Sequence, residues 1–331
     1  MATPNSILDS CHHDPKTDLD IFLYARKQIL SRTPEFERKQ LGTHAAEVGL
    51  KCDTACSYCS VASSLRTHPA FRAIGRTAFA PGFAVIDPDA AEKLSAQLGG
   101  LKPADEIVLC SKSDAWSPNA IKFKLGRKML QEILENSGAR VRIITKSALV
   151  RKDFDLIKAH RDRVTLGISI TGLPMHDEIV KAYERNASLV SERIATMNAA
   201  ARMGLRVFAM FCPMCPGLFA KEADIEHLFK LAVKWPAEGI WCEILNPRGP
   251  GIINCAQSLR DAGYAKVAQA FDAIRHEDGR SDYALNLTRS VQKVCRRLNL
   301  IDRLHMLTYR SSISDTVQRQ LGRDSKGVVW L

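Results

Sequence analysis

The sequence predicts an α/β fold in which six β units form a partial (β/α)6 barrel of the TIM type, and three observations support it. From Ala45 onward, short apolar runs alternate with segments of helical period, as in a parallel βα series. The runs are rich in Val, Ile and Leu, as expected of strands that are buried on both faces. Right-handed crossovers between such strands curl the sheet into a partial or full barrel.

The strands are predicted at residues 46–50, 106–110, 141–145, 164–170, 205–211 and 240–245. Helices are predicted between them. One opens at Asp87-Pro88 and ends at Gly99-Gly100, which follows the preference for Pro at helix starts and Gly at helix ends. The others are indicated by apolar stripes at Leu125, Met129, Leu130, Ile133 and Leu134, within residues 188–203, and at Ile225, Leu228, Phe229 and Ala232.

Both ends of the chain are predicted to be helical. Residues 18–30 are amphipathic, so residues 1–43 are interpreted as a helical N-terminal extension of a core that covers residues 44–250. Residues 251–331 are interpreted as a helical C-terminal region, because apolar side chains recur there at helical spacing, at Val267, Phe271, Ile274, Val291, Val294 and Leu298. Cys11-His12-His13 is interpreted as part of a mobile N-terminal tail.

Composition limits the functional classes. The chain has 331 residues, of which 46% are hydrophobic, 7% aromatic and 25% charged, and this excludes collagen, bulk disorder and a small disulfide scaffold. No apolar run reaches the ~18 residues of a membrane span, and residues 1–15 have no signal-peptide core. We therefore expect a cytoplasmic protein.

The charge balance favours an anionic partner. Lys and Arg number 47 against 36 Asp and Glu, a net charge of +11 that points first to nucleic acid. Two local groups can carry this excess, and they comprise Lys122, Lys124, Arg127 and Lys128, and then Lys293, Arg296, Arg297 and Arg303. The alternative is that these groups are solvated helix faces.

The strongest motif is a cysteine triplet, Cys52-Asp-Thr-Ala-Cys56-Ser-Tyr-Cys59, directly after the first predicted strand. Three thiolates at this spacing can hold three irons of a 4Fe–4S cluster and leave the fourth iron open for a substrate or cofactor. A zinc site would need a further ligand such as His44 or His68. Three structural cysteines are the remaining alternative, although the loop between them is polar.

This spacing, with an aromatic residue before the third cysteine, resembles the radical S-adenosylmethionine superfamily. The resemblance implies two cofactors, a 4Fe–4S cluster on Cys52, Cys56 and Cys59, and S-adenosylmethionine on the open iron. It also implies reductive cleavage to a 5′-deoxyadenosyl radical that abstracts hydrogen from a substrate, and an electron donor such as flavodoxin or ferredoxin.

Five later segments resemble the spore photoproduct lyase-like group. They are Cys110-Ser-Lys-Ser113-Asp114-Ala-Trp116-Ser-Pro118, Ile144-Thr145-Lys146-Ser147, Ser169-Ile170-Thr171-Gly172, Tyr183-Glu184-Arg185-Asn186-Ala187-Ser188 with Glu192-Arg193, and Pro213-Met-Cys-Pro216-Gly217. Arg185 stands where the group has proline. The resemblance implies a lyase-like enzyme that repairs a nucleic-acid base lesion. Radical modification of a peptide, a small metabolite or a tRNA base, and a non-catalytic iron–sulfur electron carrier or sensor, are the alternatives.

The resemblance also implies roles for residues that would bind S-adenosylmethionine. Tyr58 would pack near the adenine, and Ser113 and Asp114 would lie near the methionyl amine and the ribose. Lys146 would pair with the methionyl carboxylate, and Ser169 would contact the ribose or methionine. The structural alternatives are a loop-anchoring aromatic, an N-cap or Asx-turn carboxylate, a surface lysine and a strand-end hydroxyl bonded to backbone.

Cys110 is the candidate catalytic residue. The group carries a cysteine just before a Ser-Asp pair, and that cysteine returns a hydrogen atom to the product radical. Cys110 precedes Ser113-Asp114 with one more intervening residue than in the group. The alternative is a buried cysteine that acts as a small hydrophobe.

Two further groups have weaker signals. Four later cysteines, Cys212, Cys215, Cys242 and Cys255, could bind a second cluster. Glu243 and Asn246, at the end of the sixth strand, are predicted to line the pocket or to form an Asn-Pro turn.

Overall fold

The computed structural model describes residues 7–331, with side chains from residue 11 onward. The chain divides into two compact units. The first comprises residues up to Leu166 together with Arg185–Ser188, and the second comprises Gly167–Glu184 together with Leu189–Leu331. The mixed α/β class that the sequence predicts is confirmed, whereas the partial barrel and the division at residues 43 and 250 stay predictions.

The first unit contains two sheets. Its strands are β1 (Ile7–Asp14), β2 (Leu19–Tyr24), β3 (Leu30–Arg32), β4 (His44–Ala46), β5 (Gly49–Lys51), β6 (Phe83–Ile86), β7 (Glu106–Leu109), β8 (Arg140–Thr145) and β9 (Val164–Ile168), the last of which ends in the second unit. One sheet has the order β1-β2-β6-β5 and the other β3-β4-β7-β8-β9. Strands β4, β7 and β8 are parallel, so the loops that follow them leave from one edge.

Short helices follow these strands. They are α1 (Pro34–Arg38), α2 (Val61–Ser64), α3 (Pro69–Ala73), α4 (Ala90–Ser95), α5 (Leu125–Asn136) and α6 (Phe154–Ala159). Helix α5 buries all five residues of its predicted apolar stripe. The period of 3.6 residues placed them on one face, so this prediction is confirmed.

The second unit has one parallel sheet with the order β10-β11-β12-β13. Its strands are β10 (Ala209–Met214), β11 (Ile240–Ile244), β12 (Leu304–Thr308) and β13 (Val328–Trp330), and its helices are α7 (Asp177–Tyr183), α8 (Val190–Arg202), α9 (Glu222–Lys234), α10 (Gly251–Asp261), α11 (Ala265–Ala273), α12 (Glu277–Arg297) and α13 (Asp315–Gly322). Long helices alternate with the strands because a parallel connection needs a crossover. Within the described residues, no helix is long and apolar enough to cross a bilayer.

Five of the six predicted strands overlap β7 to β11, but residues 46–50 are not one strand. This segment splits into β4, which pairs with β7, and β5, which pairs with β6 in the other sheet. Glu47 lies at the split and is 1% exposed. Its side chain accepts hydrogen bonds from residues that follow β7. This buried carboxylate therefore interrupts the apolar run and separates β4 from β5.

The predicted helical ends are wrong in part. Residues 18–30 contain β2 and the start of β3 because alternate side chains, including Leu19 and Ile21, are buried, and β2 pairs with β1 and β6. Cys11-His12-His13 lies in β1 rather than in a tail, and residues 1–6 of the predicted extension lie outside the described residues. The C-terminal region has helices but also contains β12 and β13, which extend the parallel sheet.

Candidate functional site

The cysteine triplet forms the loop between β5 and α2 in the first unit. Cys52 and Cys56 are half-buried, Cys59 is exposed, and none of the three forms a disulfide. Two of the sulfurs lie near one hydroxyl. Thr54 Oγ1 is 2.9 Å from Cys52 Sγ and 3.8 Å from Cys56 Sγ. The Cys59 amide donates to the Cys56 carbonyl at 3.1 Å and closes the turn.

The electrostatics of this loop disfavour thiolates when nothing is bound. Burial raises the pKa of Cys52 to about 11, and the neighbouring Cys59 sulfur adds to the rise. The Lys51 ammonium lies near the Cys59 and Cys52 sulfurs, which raise its pKa, although burial lowers that pKa to about 8. The ammonium lies 4.2 Å from the centre of the Phe83 ring and donates to the Ala78 carbonyl at 3.2 Å.

Within residues 11–331, no three His, Cys, Asp or Glu side chains converge closely enough to hold a metal ion as they stand. The triplet nevertheless fits a cluster by its donor chemistry. It offers three thiols on one short loop, and two of them lie near the Thr54 hydroxyl. Iron–sulfur clusters are held by cysteine thiolates of this kind.

Buried hydrogen bonds hold the cysteine loop in place. The Asp53 carboxylate accepts hydrogen bonds from the Asn119 amide at 2.6 Å and from its side chain at 2.8 Å. Asn119 also donates to Asp14 of β1 at 2.9 Å. The Asn186 amide donates to the Thr54 carbonyl at 3.1 Å. Sequence reasoning assigned no role to these residues, because their partners are distant in sequence.

Cys110 directly follows strand β7 and has an unusual backbone conformation. Its φ is 76°, in the left-handed region that costs a non-glycine residue about 1–3 kcal/mol. Its sulfur accepts a hydrogen bond from the Ala115 amide at 3.1 Å. Burial raises the pKa of this thiol well above its usual value, so Cys110 stays protonated at neutral pH.

Glu47 holds the segment that follows Cys110. Its carboxylate accepts hydrogen bonds from the amides of Lys112 at 2.9 Å and Ser113 at 3.0 Å, and also from the Ser111 hydroxyl. Burial raises the pKa of Glu47, while the hydrogen bonds from Ser111 and Lys112 oppose the rise. Sequence reasoning missed this residue, although a lone carboxylate inside the apolar run from Ala45 to Leu50 was a signal.

Asp114 connects the segment after β7 to the end of β8. Its carboxylate accepts hydrogen bonds from the Trp116 amide at 2.9 Å, the Thr145 hydroxyl at 2.8 Å and the Lys146 amide at 2.9 Å. The bond to Trp116 is the Asx-turn that the sequence left open. Burial raises the pKa of Asp114 despite these bonds.

Lys146 and Tyr58 lie together. The Lys146 ammonium is 5.4 Å from the centre of the Tyr58 ring, within the range of a cation–π contact. Tyr58 is 8% exposed and belongs to the cysteine loop, whereas Lys146 follows β8. The structure therefore brings the two residues together beside Asp114, and their predicted roles toward S-adenosylmethionine stay predictions.

Ser169 belongs to the second unit and is described with it. It is 2% exposed, and its carbonyl accepts a hydrogen bond from Arg193 at 3.0 Å. Arg193 also forms a buried ion pair with Glu184 and donates to the Thr171 hydroxyl at 3.3 Å. The Glu-Arg residues that the sequence singled out thus fix the strand end that carries Ser169.

The four later cysteines are all buried. Cys242 lies near Cys212. Cys215 and Cys255 both lie near the Tyr183 hydroxyl, whose pKa is raised first by burial and then by Cys215. The second cluster stays a prediction.

No family model matches the chain. The uncharacterized protein ORF301 of Acidianus two-tailed virus is 25% identical over 210 residues, which cover 62% of this chain and 68% of the virus protein. The uncharacterized protein MJ0683 of Methanocaldococcus jannaschii is 29% identical over 123 residues, which cover 37% of this chain and 44% of that protein.

Two solved structures match the fold of this chain. Spore photoproduct lyase complexed with dinucleoside spore photoproduct matches with a TM-score of 0.56 and 15% identity, over 84% of this chain and 79% of the lyase. A cysteine-to-serine mutant of spore photoproduct lyase matches with a TM-score of 0.51 and 16% identity, over 72% of this chain and 66% of the lyase. The chain therefore shares the fold of spore photoproduct lyase.

Proposed function

We propose that this protein is a radical S-adenosylmethionine enzyme of the spore photoproduct lyase type, and that it acts on a base lesion in nucleic acid. The observation that carries the proposal is the three-thiol loop of Cys52, Cys56 and Cys59 in a chain with the lyase fold. The neighbouring Lys146–Tyr58 contact and the Asp114 bonds support it, because they gather further predicted cofactor residues beside this loop.

In this proposal, the three cysteines hold a 4Fe–4S cluster that supplies the electron for cleavage of S-adenosylmethionine. Lys146 would pair its ammonium with the methionyl carboxylate, because it follows β8 and lies against Tyr58 of the cysteine loop. Tyr58 positions Lys146 and packs near the adenine. Ser113 would supply a hydroxyl near the methionyl amine and the ribose.

Asp114 positions Lys146. Its carboxylate binds the Lys146 amide and the Thr145 hydroxyl, which fixes the direction in which the Lys146 side chain leaves the strand end. Asp114 also anchors the turn after Cys110 through Trp116.

Cys110 is proposed to donate the hydrogen atom of its S–H bond to the carbon-centred product radical, which leaves a sulfur-centred radical on Cys110. A hydrogen-atom donor must be a thiol rather than a thiolate, and burial keeps Cys110 protonated. The strained φ of 76° further supports a functional position, because such backbone strain concentrates at active sites.

The test uses the full chain, prepared without oxygen and reconstituted with iron and sulfide. We expect brown iron–sulfur absorption and, after reduction with S-adenosylmethionine present, formation of 5′-deoxyadenosine. Single Ala variants of Cys52, Cys56 and Cys59 should lose both, whereas Cys11→Ala, an exposed cysteine of β1, should keep both. Full iron content in all three loop variants would refute the assignment.

The same preparation separates the alternatives. A wild-type protein that holds its cluster but releases no 5′-deoxyadenosine would be an electron carrier or sensor. With an oligonucleotide that contains a thymine lesion, Cys110→Ala should still form 5′-deoxyadenosine but divert the product. An unchanged product distribution would leave Cys110 as a buried structural residue.

A further inference from the structure

The two basic groups that the sequence offered for nucleic-acid binding are largely occupied by carboxylates. In the first, Arg127 pairs with Asp155 at 2.8 Å. In the second, Arg297 pairs with Glu222 at 2.7 Å. Ion pairs with carboxylates also occupy Lys122, Lys128, Lys293 and Arg296. These side chains therefore compensate local acidic charge.

Two other cations, both in the first unit, are half-buried and have no carboxylate partner within residues 11–331. They are Arg26, which follows β2, and Lys112, which follows β7. In this described part of the chain, the Arg26 guanidinium makes one hydrogen bond, from Nη1 to the Glu47 carbonyl at 3.0 Å, and the Lys112 ammonium makes none. We call Arg26 and Lys112 the cation pair.

Contacts with Glu47 bring the cation pair to one place. The Glu47 carbonyl binds Arg26, whereas the Glu47 carboxylate accepts a hydrogen bond from the Lys112 amide at 2.9 Å. The His68 ring adjoins both cations. Burial lowers the pKa of His68 first, and the charges of Arg26 and then Lys112 lower it further, which they do only from nearby.

The carboxylates nearest Arg26 are bonded to other donors. The Glu47 oxygens accept from the segment that follows Cys110. Asp87 forms an ion pair with Lys93 at 2.7 Å and accepts from the Arg26 main-chain amide at 2.7 Å. Burial lowers the pKa of Arg26, and the charges of Glu47 and Asp87 oppose this. The two carboxylates thus lie near the guanidinium without accepting its N–H groups.

The donors of the cation pair are open to a ligand. Among the described residues, no side-chain nitrogen of Arg26 or Lys112 is both buried and without a partner, so the nitrogens that make no bond reach solvent. The Tyr24 hydroxyl, by contrast, is buried and has no hydrogen-bond partner in the same part of the chain. The Tyr24 ring meets the His68 ring edge-on, with centroids 6.0 Å apart. Half-buried cations and a buried hydroxyl without acceptors are costly, and a bound anion would offset that cost.

A phosphate group suits these donors. A guanidinium presents a planar fork to phosphate oxygens, and an ammonium binds them as a point charge. A phosphodiester spreads its charge over two oxygens, so that one group can accept from both cations. Lys112 follows Cys110, the proposed hydrogen donor, by two residues, so a phosphate held by Lys112 would lie near the reacting nucleotide.

We propose that Arg26 and Lys112 bind one phosphate of the nucleic-acid substrate close to Cys110. This inference rests on the proposed function and adds to it that the substrate carries a phosphodiester at this point. A free nucleoside or an uncharged peptide would leave the cation pair without its anion.

Two dinucleotides that differ only in charge test the proposal. The reconstituted full chain is titrated with thymidylyl-thymidine and with its methylphosphonate analogue, whose linkage is neutral, and proton NMR of the thymine methyl groups gives the dissociation constants. Each charged contact contributes about tenfold in affinity, so the wild type should prefer the phosphodiester by about a hundredfold. Arg26→Gln and Lys112→Gln should each lower this preference to about tenfold.

Lys102→Gln is the matched control. Lys102 is an exposed lysine that precedes β7, so it lies at the opposite end of that strand from Lys112, and its replacement should leave the preference unchanged. Lys112→Gln keeps the main-chain amide that bonds Glu47, so this variant remains a valid test even if Arg26→Gln, which loses its bond to the Glu47 carbonyl, fails to fold.

The outcomes that overturn the proposal are distinct. They are equal affinity of the wild type for the two dinucleotides, an undiminished preference in Lys112→Gln, or displacement of thymidylyl-thymidine by an equal concentration of methionine, which would assign the cation pair to a carboxylate. Wild-type protein that cleaves S-adenosylmethionine but shows no preference would refute this proposal alone. Protein that prefers the phosphodiester but forms no 5′-deoxyadenosine would refute the proposed function instead.

Discussion

Replacement of Glu47 by Gln tests how the segment after Cys110 is held. The two Glu47 oxygens accept from the Lys112 amide at 3.0 and 2.9 Å, from the Ser113 amide at 3.0 Å and from the Ser113 hydroxyl at 3.3 Å. The Gln side chain has one acceptor oxygen, and its NH2 group would face an N–H donor. The variant keeps the size of the side chain, so its effect reports on hydrogen bonding.

The expected loss follows from these bonds. A hydrogen bond to a charged group contributes about 1.5–3 kcal/mol, and a buried donor left without a partner costs about 1–3 kcal/mol. Part of this loss is offset because Glu47→Gln removes a buried charge, whose desolvation already raises the pKa of Glu47. We therefore expect the free energy of unfolding to fall by about 2–4 kcal/mol.

Urea unfolding followed by circular dichroism measures this change through the midpoint and slope. The matched control is Glu135→Gln, an exposed carboxylate on α5, for which we expect a change within about 0.5 kcal/mol. If Glu47→Gln unfolds at the urea midpoint of the wild type, the carboxylate does not hold the segment, and the positioning argument for Ser113 and Asp114 is wrong.

Two further predictions concern ion pairs. Glu184→Gln leaves the buried Arg193 without its carboxylate, so the free energy of unfolding measured in urea should fall by about 3–5 kcal/mol. The control Glu178→Gln, at an exposed position of α7, should leave the free energy of unfolding unchanged. Equal urea midpoints for the two variants would contradict this prediction. Arg127 donates to both oxygens of Asp155 and lowers its pKa to about 2, so the pair stabilises the fold fully above the unfolded pKa of about 3.9 and loses this effect as pH falls through about 2. In Arg127→Gln, carboxyl NMR should show the pKa of Asp155 rising from about 2 toward the unfolded value, because the largest cause of its lowering is removed; a pKa that stays near 2 would contradict the assignment.

The local hydrophobic pattern correctly predicted elements that form by burying a single apolar face. The stripe from Leu125 to Leu134 became α5 because its spacing matches the helix period and nothing competes with it. The segment at residues 18–30 also fits that spacing through Phe22, Leu23, Ile29 and Leu30, yet it contains strands. This segment forms strands because β2 pairs with β1 and β6. The hydrophobic pattern of one segment does not show which strands it will pair with.

The basic groups illustrate the same limit for charge. Lys293 and Arg297 share a helix face in the sequence, but both meet Glu222, which precedes them by more than seventy positions. Charge counts from sequence give the total, whereas the folded chain decides which charges remain available to a ligand.

The sequence by itself determined the donor chemistry of this protein, because the spacing of Cys52, Cys56 and Cys59 places three thiols on one short loop whatever surrounds them. Only the tertiary structure decided what holds that site. Glu47 bonds Ser113 across 66 positions, and Asp114 bonds Lys146 across 32. Buried donors and acceptors need partners, and long-range packing alone selects which ones they meet.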